Sequence, residues 1–354
     1  MRHCGALLVA VCAVALVPTR GEAIDDERDW LIDVSHAQRH SNFQGVLLYR
    51  SGDAIDSFRV THRYKNGEAR ERLQTLTGEQ RDVVRRGDKV ICLVPPGNRL
   101  PASALHGVPQ SMIPKLDAPQ LRRIEQSYTL SELGEQRIAG RRCEGLAITP
   151  HDPLRYGYEV WADKETKVPL KVLLTDSDGK AVEQIMFTEV RFPETIADEV
   201  FDITPQLDQG YQSIAQDRIQ AADSAPSAPL GRISDAQLDL VSIPDGFEVV
   251  MFAERNLPGN TGNTGNTGTL RHWIISDGLT FVSIFGRHSI GEQPAASMPQ
   301  PATSVGAMHA YRQISGQVEI TVVGEVPSQT VQVIAEGTSR RLSKGAPVAA
   351  RATP

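Results

Sequence analysis

Between Ile138 and Val190 apolar and polar residues alternate in short runs broken by compact turns, and that period of two restricts the segment to an antiparallel meander. At its centre Arg155-Tyr156-Gly157-Tyr158-Glu159-Val160-Trp161 sets Tyr156, Tyr158 and Val160 on one face of a strand and Glu159 and Trp161 on the other. The turn 162–167 leads into a strand from Pro169 to Thr175, the turn Asp176-Ser177-Asp178-Gly179 and a strand from Lys180 to Val190. Aromatic partners across these strands suit a sheet wrapped around something. No catalytic group is set among them.

The same regime begins earlier. Trp30, Leu31, Val34 and Ala37 recur at helical spacing behind acidic residues, which predicts a short amphipathic helix ending near His40-Ser41-Asn42. From Phe43 the period changes, predicting strands at 43–50, 57–64, 69–76, 80–86 and 89–94 with Gly, Asn and Asp turns between them. The Pro- and Gly-rich stretch 95–119 interrupts this sheet, as a lid or a crossover, and 116–125 reads as a short helix. The first domain is expected to span residues 24–205.

Residues 1–23 have the parts of a cleaved secretory signal: Arg2 and His3, an apolar run from Ala6 to Val17, and Gly21-Glu22-Ala23. The run is short for a bilayer of about 30 Å, which disfavours an uncleaved anchor, and Val11 ahead of Cys12 disfavours a lipoprotein signal. Without the leader the net charge moves from −6 to about −7, so a nucleic-acid partner is not expected. Cys92 and Cys143 are then the only cysteines, either one disulfide across the sheet or two separate buried thiols; the bridge is the expectation in an exported chain.

Residues 206–238 are polar and centre on an Ala/Pro/Ser-rich run at 221–229, which predicts a linker. A second domain is expected over 239–337, with strands at 247–253, 271–275, 279–285 and 318–323 and a helix from Ser328 stopped by Gly337. The threefold Asn-Thr-Gly repeat ending at Gly268 reads as a lengthened hairpin loop, and 338–354 as a disordered basic tail.

The motif search excludes more than it finds. There is no nucleophile elbow, His-Glu-x-x-His, phosphate loop or Cys-x-x-Cys, so no catalytic residue, metal site or cofactor is assigned and an enzyme is not expected. His151-Asp152 lies between prolines in a turn, and Asp176 to Gly179 lacks the closing glutamate of a calcium loop. Tyr156, Tyr158, Val160 and Trp161 are candidates for an acyl-binding face, with ordinary core as the competing account.

Several short runs, in order, resemble the RseB/MucB family of periplasmic regulators of the envelope-stress sigma factor. They are Phe43-Gln44-Gly45, Glu71-Arg72-Leu73, Gly87 to Cys92, Ala139 to Cys143 and Pro150 to Tyr158, then Pro244 to Phe247, Ser276-Asp277-Gly278-Leu279 and Gly324 to Pro327. The resemblance implies a mainly β protein: an unclosed antiparallel barrel like that of the lipoprotein carrier LolA, with covering helices, beside a smaller α/β domain. It implies binding of the periplasmic segment of a single-span anti-sigma factor of the RseA/MucA type, shielding it from the site-one protease, with release by a lipoprotein or lipopolysaccharide-type lipid. Partner contact is assigned to Ser276, Asp277, Gly278 and Leu279, and self-association stays open. A lipoprotein carrier is the alternative, although it has no evident need of the second domain.

Overall fold

The structure, a computed structural model, describes residues 26–87, 89–97, 112–217, 238–257, 268–288 and 300–345. The expected leader, the centre of the expected linker, all but the last glycine of the Asn-Thr-Gly repeat and residues 346–354 lie outside that set.

Helix α1 (Glu27–His40) starts where the Asp26 side chain accepts from the backbone N–H groups of Arg28 and Asp29 at 2.8 and 3.2 Å, and its apolar stripe buries Trp30, Leu31, Val34 and Ala37. Strands β1 (Phe43–Ser51), β2 (Ala54–Lys65), β3 (Glu68–Thr75), β4 (Asp82–Arg86) and β5 (Lys89–Val94) follow as hairpins. Helix α2 (Ala118–Ser127) opens with a capping box in which Asp117 and Gln120 satisfy each other's backbone N–H groups. The meander then runs through β6 (Tyr128–Ile138), β7 (Arg141–Pro150), β8 (Gly157–Asp163), β9 (Pro169–Thr175) and β10 (Ala181–Arg191). Asp176 caps the β9–β10 turn, its carboxylate accepting from the N–H groups of Asp178 and Lys180 at 3.0 and 2.9 Å.

These strands form one antiparallel sheet in the order β11-β5-β4-β3-β2-β1-β10-β9-β8-β7-β6, unclosed because β6 and β11 (Gln212–Asp217) are edges. The first sheet reaches past residue 205 into the stretch expected to be linker: helix α3 (Thr204–Asp208) leads to β11, which pairs along β5 from Gln212 opposite Val94 to Asp217 opposite Lys89. A polar strand pairing through its backbone carries no apolar alternation to announce it.

The second sheet has the order β12-β13-β14-β17-β16-β15, from β12 (Glu248–Leu257), β13 (Gly268–Ser276), β14 (Phe281–His288), β15 (Gln300–Val305), β16 (Met308–Ser315) and β17 (Val318–Gly324). Helix α4 (Ser328–Gly345) covers one face, packing Val331, Ile334, Ala335 and Leu342 against Trp273, Ile284 and Ile320. It does not stop at Gly337, so residues 338–345 of the expected tail are helical. A Cβ at Gly337 would lie 2.3 Å from the Ser242 Oγ, and the Ser242 N–H donates to the Thr338 hydroxyl at 3.0 Å. Glycine is there to admit a crossing chain rather than to end a helix.

Cys92 and Cys143 are two free, buried thiols, which corrects the expected disulfide. They sit on β5 and β7, near opposite edges of the sheet order, inside one apolar cluster.

Candidate functional site

The first sheet encloses a cavity of about 590 Å³ beneath α1 and the segment ahead of α2. Its floor is apolar, from Phe43 and Leu47 on β1, Val60 and Leu73 on β2 and β3, and Ile185 and Phe187 on β10, all pointing inward by strand alternation. Met112 and the C-terminal turn of α1 form the roof. The roof is strapped down: the Gln38 carboxamide accepts from the N–H groups of Met112 and Ile113 at 3.1 and 3.2 Å and donates to the Ile113 carbonyl at 3.0 Å. The Ser35 hydroxyl donates to the Pro114 carbonyl and accepts from the Leu116 N–H, both at 3.0 Å.

The rim is polar and rich in basic side chains. His36 stacks on His40 at 3.9 Å, and His40 meets Tyr64 edge-on at 4.5 Å. His62 stacks on Phe43 at 4.8 Å, and its Nδ1 lies 2.8 Å from the Ser41 carbonyl. Burial holds the His62 imidazole below its ordinary pKa, and burial followed by the nearby His40 lowers that of His36. Arg85 pairs with Glu71 and Arg70 with Glu68, while Lys115 lies exposed at the mouth. An apolar floor with a polar rim fits an amphiphile with an acyl chain inside and a polar head outside.

None of the four residues expected to face a lipid lines this cavity. Val160 packs with Trp30, Leu31 and Val34 of α1; Trp161 lies against Gly145, with the Lys171 ammonium 5.7 Å from its ring. Tyr156 packs with Leu174 and with Ala307 of the second sheet's unit, and Tyr158 adjoins both. The alternation of β8 was visible in sequence, but which strands of the sheet close around the cavity was not.

A second feature lies where the two units meet. The fully buried Arg155 side chain is sandwiched by Phe247 and Tyr128, with ring centroids 4.7 and 5.8 Å from its guanidinium carbon. It donates to the Asp245 carbonyl at 2.6 Å, pairs with Asp152 at 2.9 Å, and its Nη1 lies 3.7 Å from the buried Asp277 carboxylate. Asp277 accepts the Tyr128 hydroxyl at 2.6 Å and the N–H groups of Leu279 and Thr280 at 3.0 and 2.9 Å. Burial outweighs these bonds and raises the Asp277 carboxyl above its ordinary pKa.

Two glycines let the surfaces meet. At Gly246 (φ +77°) a Cβ would lie 2.3 Å from the Ser127 Oγ, and at Gly278 (φ +103°) 2.5 Å from the Gln120 carbonyl. Further out, Thr330 donates to the Leu154 carbonyl at 2.7 Å, the Ala307 N–H donates to Glu183 at 2.7 Å, and Arg123 pairs with Glu248 at 2.7 Å. Ser276, Asp277, Gly278 and Leu279, expected to touch an external partner, therefore belong to this internal seam: Ser276, Asp277 and Leu279 are 1, 0 and 6 % exposed. The Asp152 of the decoy His151-Asp152 is a support for Arg155.

A family model described as the MucB/RseB N-terminal domain matches residues 26–205, and one described as the MucB/RseB C-terminal domain matches residues 232–339. The chain is 29% identical over 333 residues to the sigma factor AlgU regulatory protein MucB of Pseudomonas aeruginosa, covering 93% of this chain and 95% of that protein. It is 28% identical over 303 residues to the sigma-E factor regulatory protein RseB of Escherichia coli K12, covering 85% and 86%. Among solved structures, MucB in the MucA/MucB complex of P. aeruginosa matches with a TM-score of 0.61 at 26% identity, covering 88% of this chain and 97% of that one.

Proposed function

The chain belongs to the MucB/RseB family, and on that premise we propose that it is a periplasmic regulator that binds the periplasmic segment of a single-span anti-sigma factor. Bound there, it shields the segment from site-one proteolysis and restrains the envelope-stress sigma factor. A lipid or lipoprotein-type amphiphile entering the cavity releases it, by preferring the conformation that does not hold the partner. The observation that carries this reading is that the likeness to named sigma-factor regulators runs through both units of the chain, not the cavity-bearing sheet alone. Export rests on the reading of the N-terminal residues; among the described residues no helix is long and apolar enough to cross a membrane.

The test is a titration of the full mature chain with the periplasmic segment of a single-span anti-sigma factor from the same organism, followed by exposure of the mixture to the site-one protease. Saturable binding and slower cleavage are expected. A segment that stays unbound and is cut at its free rate overturns the regulator in favour of the carrier reading, which shares the cavity but leaves the second sheet without a task.

A further inference from the structure

We propose that the seam between the two units is a latch pinned by Arg155, and that the arm formed by α1 and α2 sets the state of the latch according to whether the first-sheet cavity is filled. The coupling rests on the amphiphile reading of the cavity given above; the latch does not.

The pin is recognisable by its chemistry. Arg155 comes from the loop before β8, yet its contacts are divided: Asp152 and Tyr128 on its own unit, Asp245, Phe247 and Asp277 on the other. Its Nη1 has no hydrogen-bond partner at the 3.7 Å separation from Asp277. Closure sets the Asp245 carbonyl, the Phe247 ring and the long Asp277 ion pair against the cost of desolvating both charges, whereas opening gives up those partners from the second unit and returns the charges to water.

The arm is continuous from cavity to seam. The last turn of α1 and Met112 line the cavity. Trp30, Leu31 and Val34 of the same helix pack in one cluster with Ile124 and Tyr128 and with Leu279 from the second unit. The strap 112–117, fixed to α1 through Gln38 and Ser35, leads directly into α2, whose Gln120 carbonyl and Ile124 side chain lie against Gly278. An acyl chain that lifts the roof must move α1 or the strap, and either movement is delivered to the contacts around Asp277. By linkage, opening the latch must tighten amphiphile binding by the factor with which the amphiphile favours opening.

The experiment uses the full mature chain, the fluorescent acyl probe cis-parinaric acid, and hydrogen exchange read by mass spectrometry on the peptide holding residues 276–280. Arg155→Met breaks the pin. The double variant Arg155→Met with Asp277→Asn removes both charges and keeps the volumes, so a failure of the single variant to fold leaves the test standing. Faster exchange across 276–280 with the β1–β2 hairpin unchanged is expected, together with probe binding about 10-fold tighter than wild type, a coupling of about 1.4 kcal/mol. Saturating probe should speed the same exchange in the wild-type chain. Unchanged seam exchange in both variants overturns the latch. A looser seam with unaltered probe affinity overturns the coupling alone. A probe that fails to bind wild type overturns the cavity reading and the coupling with it, while the exchange data still decide the latch.

Discussion

Gly278 has a backbone that an L side chain resists, and its missing Cβ is the space that the Gln120 carbonyl approaches. Gly278→Ala should therefore cost about 1–3 kcal/mol in urea unfolding; a neutral result would mean that the seam is not closed against α2. His62 offers a pH test. The unfolded imidazole takes up a proton as the pH falls through 6.5, whereas burial holds the folded one below that value, so this part of the stability is full above pH 6.5 and is lost as the pH falls toward the lowered folded pKa. His62→Leu should reduce the loss of stability between pH 7.5 and pH 5.5 by up to one proton's worth, measured by denaturant titration at each pH. Burial also raises the Cys92 thiol and pushes that of Cys143 up to about 12, so neither forms a thiolate readily. Alkylation should be slow in the native chain and complete in denaturant without a reductant; a need for reductant would restore the disulfide. The pairing of Arg155 with Asp277 was beyond sequence reading, since no spacing rule joins residues so far apart in the chain. Both lie in motifs that marked the family, and the isolated Arg in an otherwise apolar and aromatic run was the available signal.

At the level of elements, period two was a reliable guide wherever one face of a strand is buried. β9 spans the expected Pro169 to Thr175, and β5 the expected Lys89 to Val94. It failed for β11 and for the edge strand β6, whose residues from Glu132 to Arg137 are exposed on both faces, leaving no alternation to read. Helix α4 failed differently. Gly337 resembles a stop signal, and only the tertiary approach of Ser242 reveals its role. A Gly337→Ala substitution would favour an isolated helix by about 1 kcal/mol, but here it should destabilise, because Ser242 is held by Thr338 and has little freedom to withdraw. Adding Ser242→Gly should recover the loss, as judged by thermal unfolding of the single and double variants; stabilisation by Gly337→Ala alone would contradict the packing.

For the whole molecule, the division into two sheets was legible from the composition of residues 206–238, but the contact between them was not, because it joins a buried Arg, a buried Asp, two glycines and single apolar residues such as Leu279 and Ala307 that lie far apart in the chain. A nick placed between residues 217 and 238 should accordingly leave the two fragments eluting together at the volume of the intact chain in size-exclusion chromatography, while Arg155→Met should let them separate. Separate elution of nicked wild type would show that the linker, not the seam, keeps the units together. The position of β1 has a consequence in time. It pairs with its neighbour β2 but also with β10, Gln44 opposite Arg191. A chain synthesised from its N-terminus presents one flank of β1 long before its mate emerges. The early hairpins must wait with that flank bare, and the pace of folding is then governed by the arrival of residues 181–191 rather than by any local step.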